Sequence, residues 1–183
     1  MIIGNIYDIY DVDFPIHNKL NIIIGPNGSY KTCTLNLLYN FYISNNENVL
    51  FFESDRYFNI NNKEQELIKS WLLLDSLNQS QLTLLKNIDF KYDFINYGDY
   101  INSGKAQLLN FYYQIKKNGK NAHVIIDFPE KNLDIYSKRK FISFFKDCND
   151  IKTLTIVTHS PEIISSYRDY IIDIKNILKR KER

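Results

Sequence analysis

Eight consecutive residues, Gly25, Pro26, Asn27, Gly28, Ser29, Tyr30, Lys31 and Thr32, carry the clearest chemical pattern in the chain. They follow the apolar run Leu20 to Ile24 and precede a segment with helical spacing of apolar residues that starts at Thr32 and Cys33. Gly25, Lys31 and Thr32 stand at the offsets of the phosphate-binding loop G-x-x-x-x-G-K-[ST]. Between a strand and a helix, such a loop offers successive backbone N–H groups and a helix N-terminus to phosphate oxygens. Lys31 would reach the β and γ phosphates, and the Thr32 hydroxyl would ligate Mg²⁺. The template's second glycine is replaced by Tyr30, a side chain expected to crowd the phosphate side and to restrict the backbone.

Three later segments hold groups suited to the same chemistry. The apolar run Val124 to Ile126 is followed by a carboxylate, which a parallel sheet would deliver to its C-terminal edge beside the loop, where Asp127 could serve Mg²⁺. The next position, where a general base for the attacking water is usual, is Phe128. Glu130, two residues on, would have to reach the same water from a different backbone position. The run Leu154 to Val157 leads into Thr158-His159-Ser160-Pro161, placing His159 at the same edge. Upstream, Asn102-Ser103-Gly104-Lys105-Ala106-Gln107 opens a helical pattern, with Ser103 suited to capping and Gly104 admitting a phosphate close to the helix end.

These residues need a scaffold, and the rest of the pattern supplies one. Continuous apolar runs at Leu20 to Ile24, Val49 to Phe52, Val124 to Ile126, Leu154 to Val157 and Tyr170 to Ile174 read as strands buried on both faces. Helical patterns lie between them at Thr32 to Tyr42, Glu64 to Leu85, Lys105 to Lys116 and Ser137 to Lys146. The alternation predicts an α/β fold with a mostly parallel central sheet flanked by helices. The 183 residues, 44% apolar, form one domain over 1–183, with a helical insertion over 59–112. Only six glycines and four prolines are present, which excludes collagen-like and low-complexity classes.

A net charge of +2 says little about partners, but the last nine residues hold five basic side chains against Glu182. This basic tail, 175–183, reads as a solvated terminal turn, with phosphate contact as the sharper alternative. Cys33 and Cys148 form no paired motif, so a reducing cytoplasm is the expected compartment. No secretory leader or membrane-spanning segment is expected, because Asp8, Asp11 and Asp13 interrupt the N-terminal apolar residues and no uncharged apolar stretch is long enough.

The order and content of the four motifs resemble those of the ABC-type ATPases over nearly the whole chain. Residues 25–32 are similar to that family's Walker A motif, 102–107 to its signature motif, 124–134 to Walker B with the D-loop, and 155–163 to the switch-histidine segment. The form Ser-Gly-x-x-Gln, with Pro-Glu after Walker B and Thr-His-Ser-Pro at the switch, resembles the RecF, SMC and OLD-like branch of DNA metabolism and anti-phage defence. The resemblance implies a P-loop NTPase fold of ABC ATPase type whose residues 25–33 cradle ATP, with Thr32 and Asp127 serving Mg²⁺ and Lys31, Asp127 and His159 acting in hydrolysis. It further implies a dimer in which Ser103, Gly104 and Gln107 face the nucleotide of the partner subunit, with Asn132 to Asp134 across the interface. A Q-loop glutamine is implied too, with Gln65, Gln79 and Gln81 as the alternatives. Output through a separately encoded nuclease or toxin-like effector is the expectation, and contact with nucleic acid stays open. Tyr30, Phe128 and Asp134 depart from the pattern, and the first two bear on hydrolysis more than on binding. The chain is therefore read as a slow ATPase. The alternatives are a hydrolysis-deficient nucleotide sensor and, third, the ATP-binding subunit of a transporter.

Overall fold

The computed structural model describes residues 1–16, 18–53, 111, 114–115, 118–131 and 133–181. Five strands form a parallel sheet: β3 (Leu20–Ile24), β4 (Val49–Phe52), β5 (His123–Asp127), β6 (Thr153–Val157) and β7 (Ile171–Asp173), in the order β4-β5-β6-β3-β7. Before them β1 (Ile2–Ile6) and β2 (Tyr10–Asp13) make a hairpin, and β8 (Leu178–Arg180) pairs antiparallel with β2. The helices are α1 (Lys31–Ser44), α2 (Ile135–Asp147), α3 (Pro161–Ser166) and α4 (Ile174–Ile177).

Apolar side chains alternate between the two faces of the parallel sheet, as the pleat requires. Ile22, Val124, Ile126, Leu154 and Ile156 pack on one side with Phe141, Ile142 and Phe145 of α2, Ile163 of α3, and Tyr167. Ile23, Ile125 and Val157 pack on the other with Leu35, Leu38 and Tyr42 of α1. The hairpin adds Ile3, Ile6 and Val12 to that second cluster, and α4 adds Ile174 and Ile177. Each such side chain, once fully buried, favours the fold by about 1.5–3 kcal/mol. Burial on both faces explains why these strands are continuous apolar runs.

The register then fixes where the chemistry falls. Val157 of β6 pairs with Ile23 of β3 on one side and Asp127 of β5 on the other. The ends of these three strands are therefore level, and the segments that leave them share one edge of the sheet.

Three details differ from the sequence expectation. The last strand begins at Ile171, because Arg168 to Tyr170 form a 3₁₀ turn. The basic tail is not simply a solvated turn, since Leu178 to Arg180 pair with Val12 to Tyr10. The hairpin β1–β2 was not expected at all; its turn places Tyr7 and Asp8 at φ of 51° and 56°, with the Ile9 N–H donating to the Ile6 carbonyl at 3.0 Å. Among the described residues no helix is long and apolar enough to cross a membrane. Most of residues 59–112 lies outside the described residues.

Candidate functional site at the sheet's C-terminal edge

From the end of β3 the chain turns through Gly25 to Tyr30 into α1. Two glycines make the turn. Gly25 lies at φ 156°, and a Cβ there would collide with a methyl group of Ile174 on α4. Gly28 lies at φ 76° with open space around it, so the loop's outer side is clear. Ser29 closes the turn, its hydroxyl and its N–H both donating to the Pro26 carbonyl, at 2.7 and 3.4 Å.

Tyr30 keeps the conformation that the missing glycine would supply, φ 66° and ψ 20°. A non-glycine residue pays for that left-handed backbone with roughly 1–2 kcal/mol. The ring belongs to a small aromatic cluster. It packs edge-on to Tyr7 at 6.0 Å and tilted on Tyr10 at 5.9 Å, so the hairpin holds it. Contacts of this kind contribute about 0.5–1.5 kcal/mol each, which offsets much of the backbone strain. By sequence pattern alone Tyr7, Tyr10 and Phe14 read as core or surface aromatics and not as residues of the site. The pairing of β1 with β2 is what brings Tyr7 and Tyr10 here. Phe14 is fully buried in the core.

Lys31 opens α1 and is 5% exposed. Its Nζ donates to the carbonyls of Gly25 at 2.9 Å and Pro26 at 2.6 Å, so the ammonium is folded into the loop that it would serve. Burial lowers its pKa, and the charge of Asp127 opposes that shift. No side chain caps α1 and its first turn holds no acidic residue. The positive end of a 14-residue helix dipole is thus left to whatever anion the loop receives. Cys33 is half-buried in the same first turn.

Asp127 ends β5 and is 2% exposed. The Thr32 hydroxyl donates to its Oδ2 at 3.1 Å. A hydroxyl and a carboxylate this close are hard oxygen donors that one small divalent cation could share, with phosphate oxygens and waters completing its shell. Among the described residues no cluster of three or more His, Cys, Asp or Glu could hold a metal by itself. The oxygen pair therefore fits Mg²⁺ carried by a phosphate ligand, not a dedicated metal cage.

His159 follows β6 and reaches the same edge. Its ring stacks on Phe128 at 5.0 Å and 22°, and Lys31 Nζ stands 5.8 Å from the centre of the Phe128 ring. Phe128 occupies a left-handed turn, φ 51°, stabilised by its N–H bond to the Val157 carbonyl at 2.9 Å. The His159 N–H donates to Glu130 Oε1 at 2.6 Å. The structure thus brings together Gly25 to Cys33, Asp127, Phe128, Glu130 and His159. Asp134 caps α2, accepting from the Ser137 N–H at 2.7 Å. Ser103, Gly104, Gln107, Asn132, Gln65, Gln79 and Gln81 lie outside the described residues.

No family model matches the chain, and no curated protein matches it. Among solved structures the chain is similar to a dimeric, post-hydrolysis state of the ATP-binding cassette MJ0796 bound to ADP and Pi. The two share 18% identity with a TM-score of 0.56, over 94% of this chain and 89% of the other. At that identity the likeness concerns the fold, and together with the five-stranded parallel sheet it gives the chain the α/β fold of an ABC-type ATPase.

Proposed function

We propose that the chain is an ATP-binding module of ABC type, with residues 25–33 around the phosphates and Thr32 and Asp127 toward Mg²⁺. The observation that carries this reading is the bond from Thr32 to Asp127, which joins the first turn of α1, where the loop after β3 ends, to the end of β5. The uncapped N-terminus of α1 and the clear space over Gly28 add to it. When bound, Mg²⁺ would supply charge neutralisation at the β and γ phosphates. Lys31 would exchange its two loop carbonyls for phosphate oxygens, which are better partners for an ammonium.

Dimerisation around two nucleotides belongs to the same proposal, with Ser103, Gly104 and Gln107 acting in trans. The dimeric state of the cassette MJ0796 supports it. Action on a separately encoded effector, in anti-phage defence or DNA metabolism, rests on the form of the motifs at 102–107, 127–130 and 158–161. Light scattering with and without MgATP tests the dimer. The mass should double with MgATP for the wild type and stay monomeric for Lys31→Ala. Equal behaviour of the two would refute the nucleotide sandwich.

A second reading, a sensor that binds ATP without turnover, is favoured by the Phe128 ring, which fills the usual place of the base between Lys31 and His159. The two readings part on whether another carboxylate serves the attacking water.

A further inference from the structure

The structure assigns that carboxylate: we propose that Glu130 is the general base of ATP hydrolysis, in place of the side chain at position 128. The inference rests on the ATP-binding reading above and deepens it.

Three observations lead to it. Glu130 is bonded into the site, because its Oε1 accepts the His159 N–H at 2.6 Å while the His159 ring lies on Phe128 and Phe128 lies under Lys31. Its second oxygen, Oε2, is buried and accepts no hydrogen bond from any described residue. An unsatisfied buried carboxylate oxygen is costly, so its retention calls for a partner that the described residues do not provide. The turn that places Glu130 is itself built for the purpose. Phe128 takes a left-handed backbone, the Lys131 N–H donates to the Phe128 carbonyl at 3.1 Å, and the Leu133 N–H donates to the Glu130 carbonyl at 3.0 Å. Such a turn swings the carboxylate back over the end of β6, which overcomes the offset of two residues along the chain.

The step balances without a further reagent. The oxygen of a water molecule attacks the γ-phosphorus, one proton of that water passes to Glu130 Oε2, and the bond from the γ-phosphorus to the bridging oxygen breaks. The products are ADP and inorganic phosphate, and the proton on Glu130 then returns to solvent. One carboxylate oxygen anchored on a backbone N–H leaves the other held in position, which general-base catalysis requires. The Phe128 ring, stacked on His159, gives the segment that Glu130 anchors an apolar side.

Two substitutions separate a base from a merely structural carboxylate. In Glu130→Gln the amide oxygen still accepts the His159 N–H but the group takes no proton. In Glu130→Ala both properties are lost. Single-turnover phosphate release and equilibrium MgATP binding should be measured on the full chain for both. The expected result is that Glu130→Gln slows release about 10²- to 10⁴-fold, as far as Glu130→Ala does, with MgATP binding within a few-fold of the wild type. Turnover retained in Glu130→Gln but lost in Glu130→Ala would overturn the proposal and leave Glu130 as an anchor of the His159 segment. A wild type that binds MgATP and releases no phosphate would also overturn it, with the ATP-binding reading intact. Failure to bind MgATP at all would overturn both.

Discussion

At position 30 a tyrosine holds the left-handed backbone of a glycine, and two opposed contributions decide what that costs. Replacement by glycine removes roughly 1–2 kcal/mol of strain. It also removes the contacts to Tyr7 and Tyr10, about 0.5–1.5 kcal/mol each. Tyr30→Gly should therefore change the free energy of unfolding by an amount between a gain of about 1 and a loss of about 2 kcal/mol. Urea titration checks this, and a loss well above that figure would mean that the ring contacts govern the loop. Gly25 offers no such compensation. A Cβ there meets Ile174 in addition to the unfavourable φ, so Gly25→Ala should destabilise by about 2 kcal/mol or more. The same titration would detect that loss. The residues that converge on the site were legible because strand, loop and lysine obey a fixed spacing. The path of Glu130 was not, since it depends on the left-handed turn at Phe128, and phenylalanine gives no sign of one.

Among the elements, legibility followed burial. Leu20–Ile24 and Val49–Phe52 coincide with apolar runs, because a strand covered on both faces has no polar alternation to confuse it. The hairpin lacks that signal. Only Ile3, Ile6, Val12 and Phe14 in its vicinity are buried, and its turn uses Tyr7 and Asp8 where glycine or asparagine is usual. β8 is three residues of mostly basic sequence whose pairing is set by β2 and not by its own pattern. Part of the basic character of this tail is also spent inside the chain. Lys181 lies 3.5 Å from Asp11, and Lys175 lies 3.1 Å from Asp173. Phosphate contact by the tail would have to compete with those pairs, so any nucleic-acid affinity should be weak and fall steeply with salt.

For the molecule as a whole, the two edges of the parallel sheet differ in purpose. The C-terminal edge carries the proposed phosphate site. The opposite edge carries His123, 4% exposed, stacked on Tyr42 at 3.6 Å and bonded through Nδ1 to the Thr153 hydroxyl at 2.7 Å. Burial lowers the His123 pKa, Lys152 lowers it further, and Glu47 opposes both. The unfolded chain therefore binds a proton before the folded one does. This histidine's stabilising contribution is present above the ordinary value of about 6.5 and is lost as the pH falls toward the lowered folded value. Unfolding free energies should drop on acidification below about pH 6.5, and His123→Gln should flatten that slope. A slope unaltered by the substitution would place the pH sensitivity elsewhere. The central claim, that the loop after β3 is an ATP site completed by Asp127, is tested most directly by calorimetric titration of MgATP into the wild type and Lys31→Ala. Saturable binding that weakens more than about tenfold in the variant, roughly 1.4 kcal/mol, is the predicted result. Equal affinity in the two proteins, or no heat of binding in either, would contradict it.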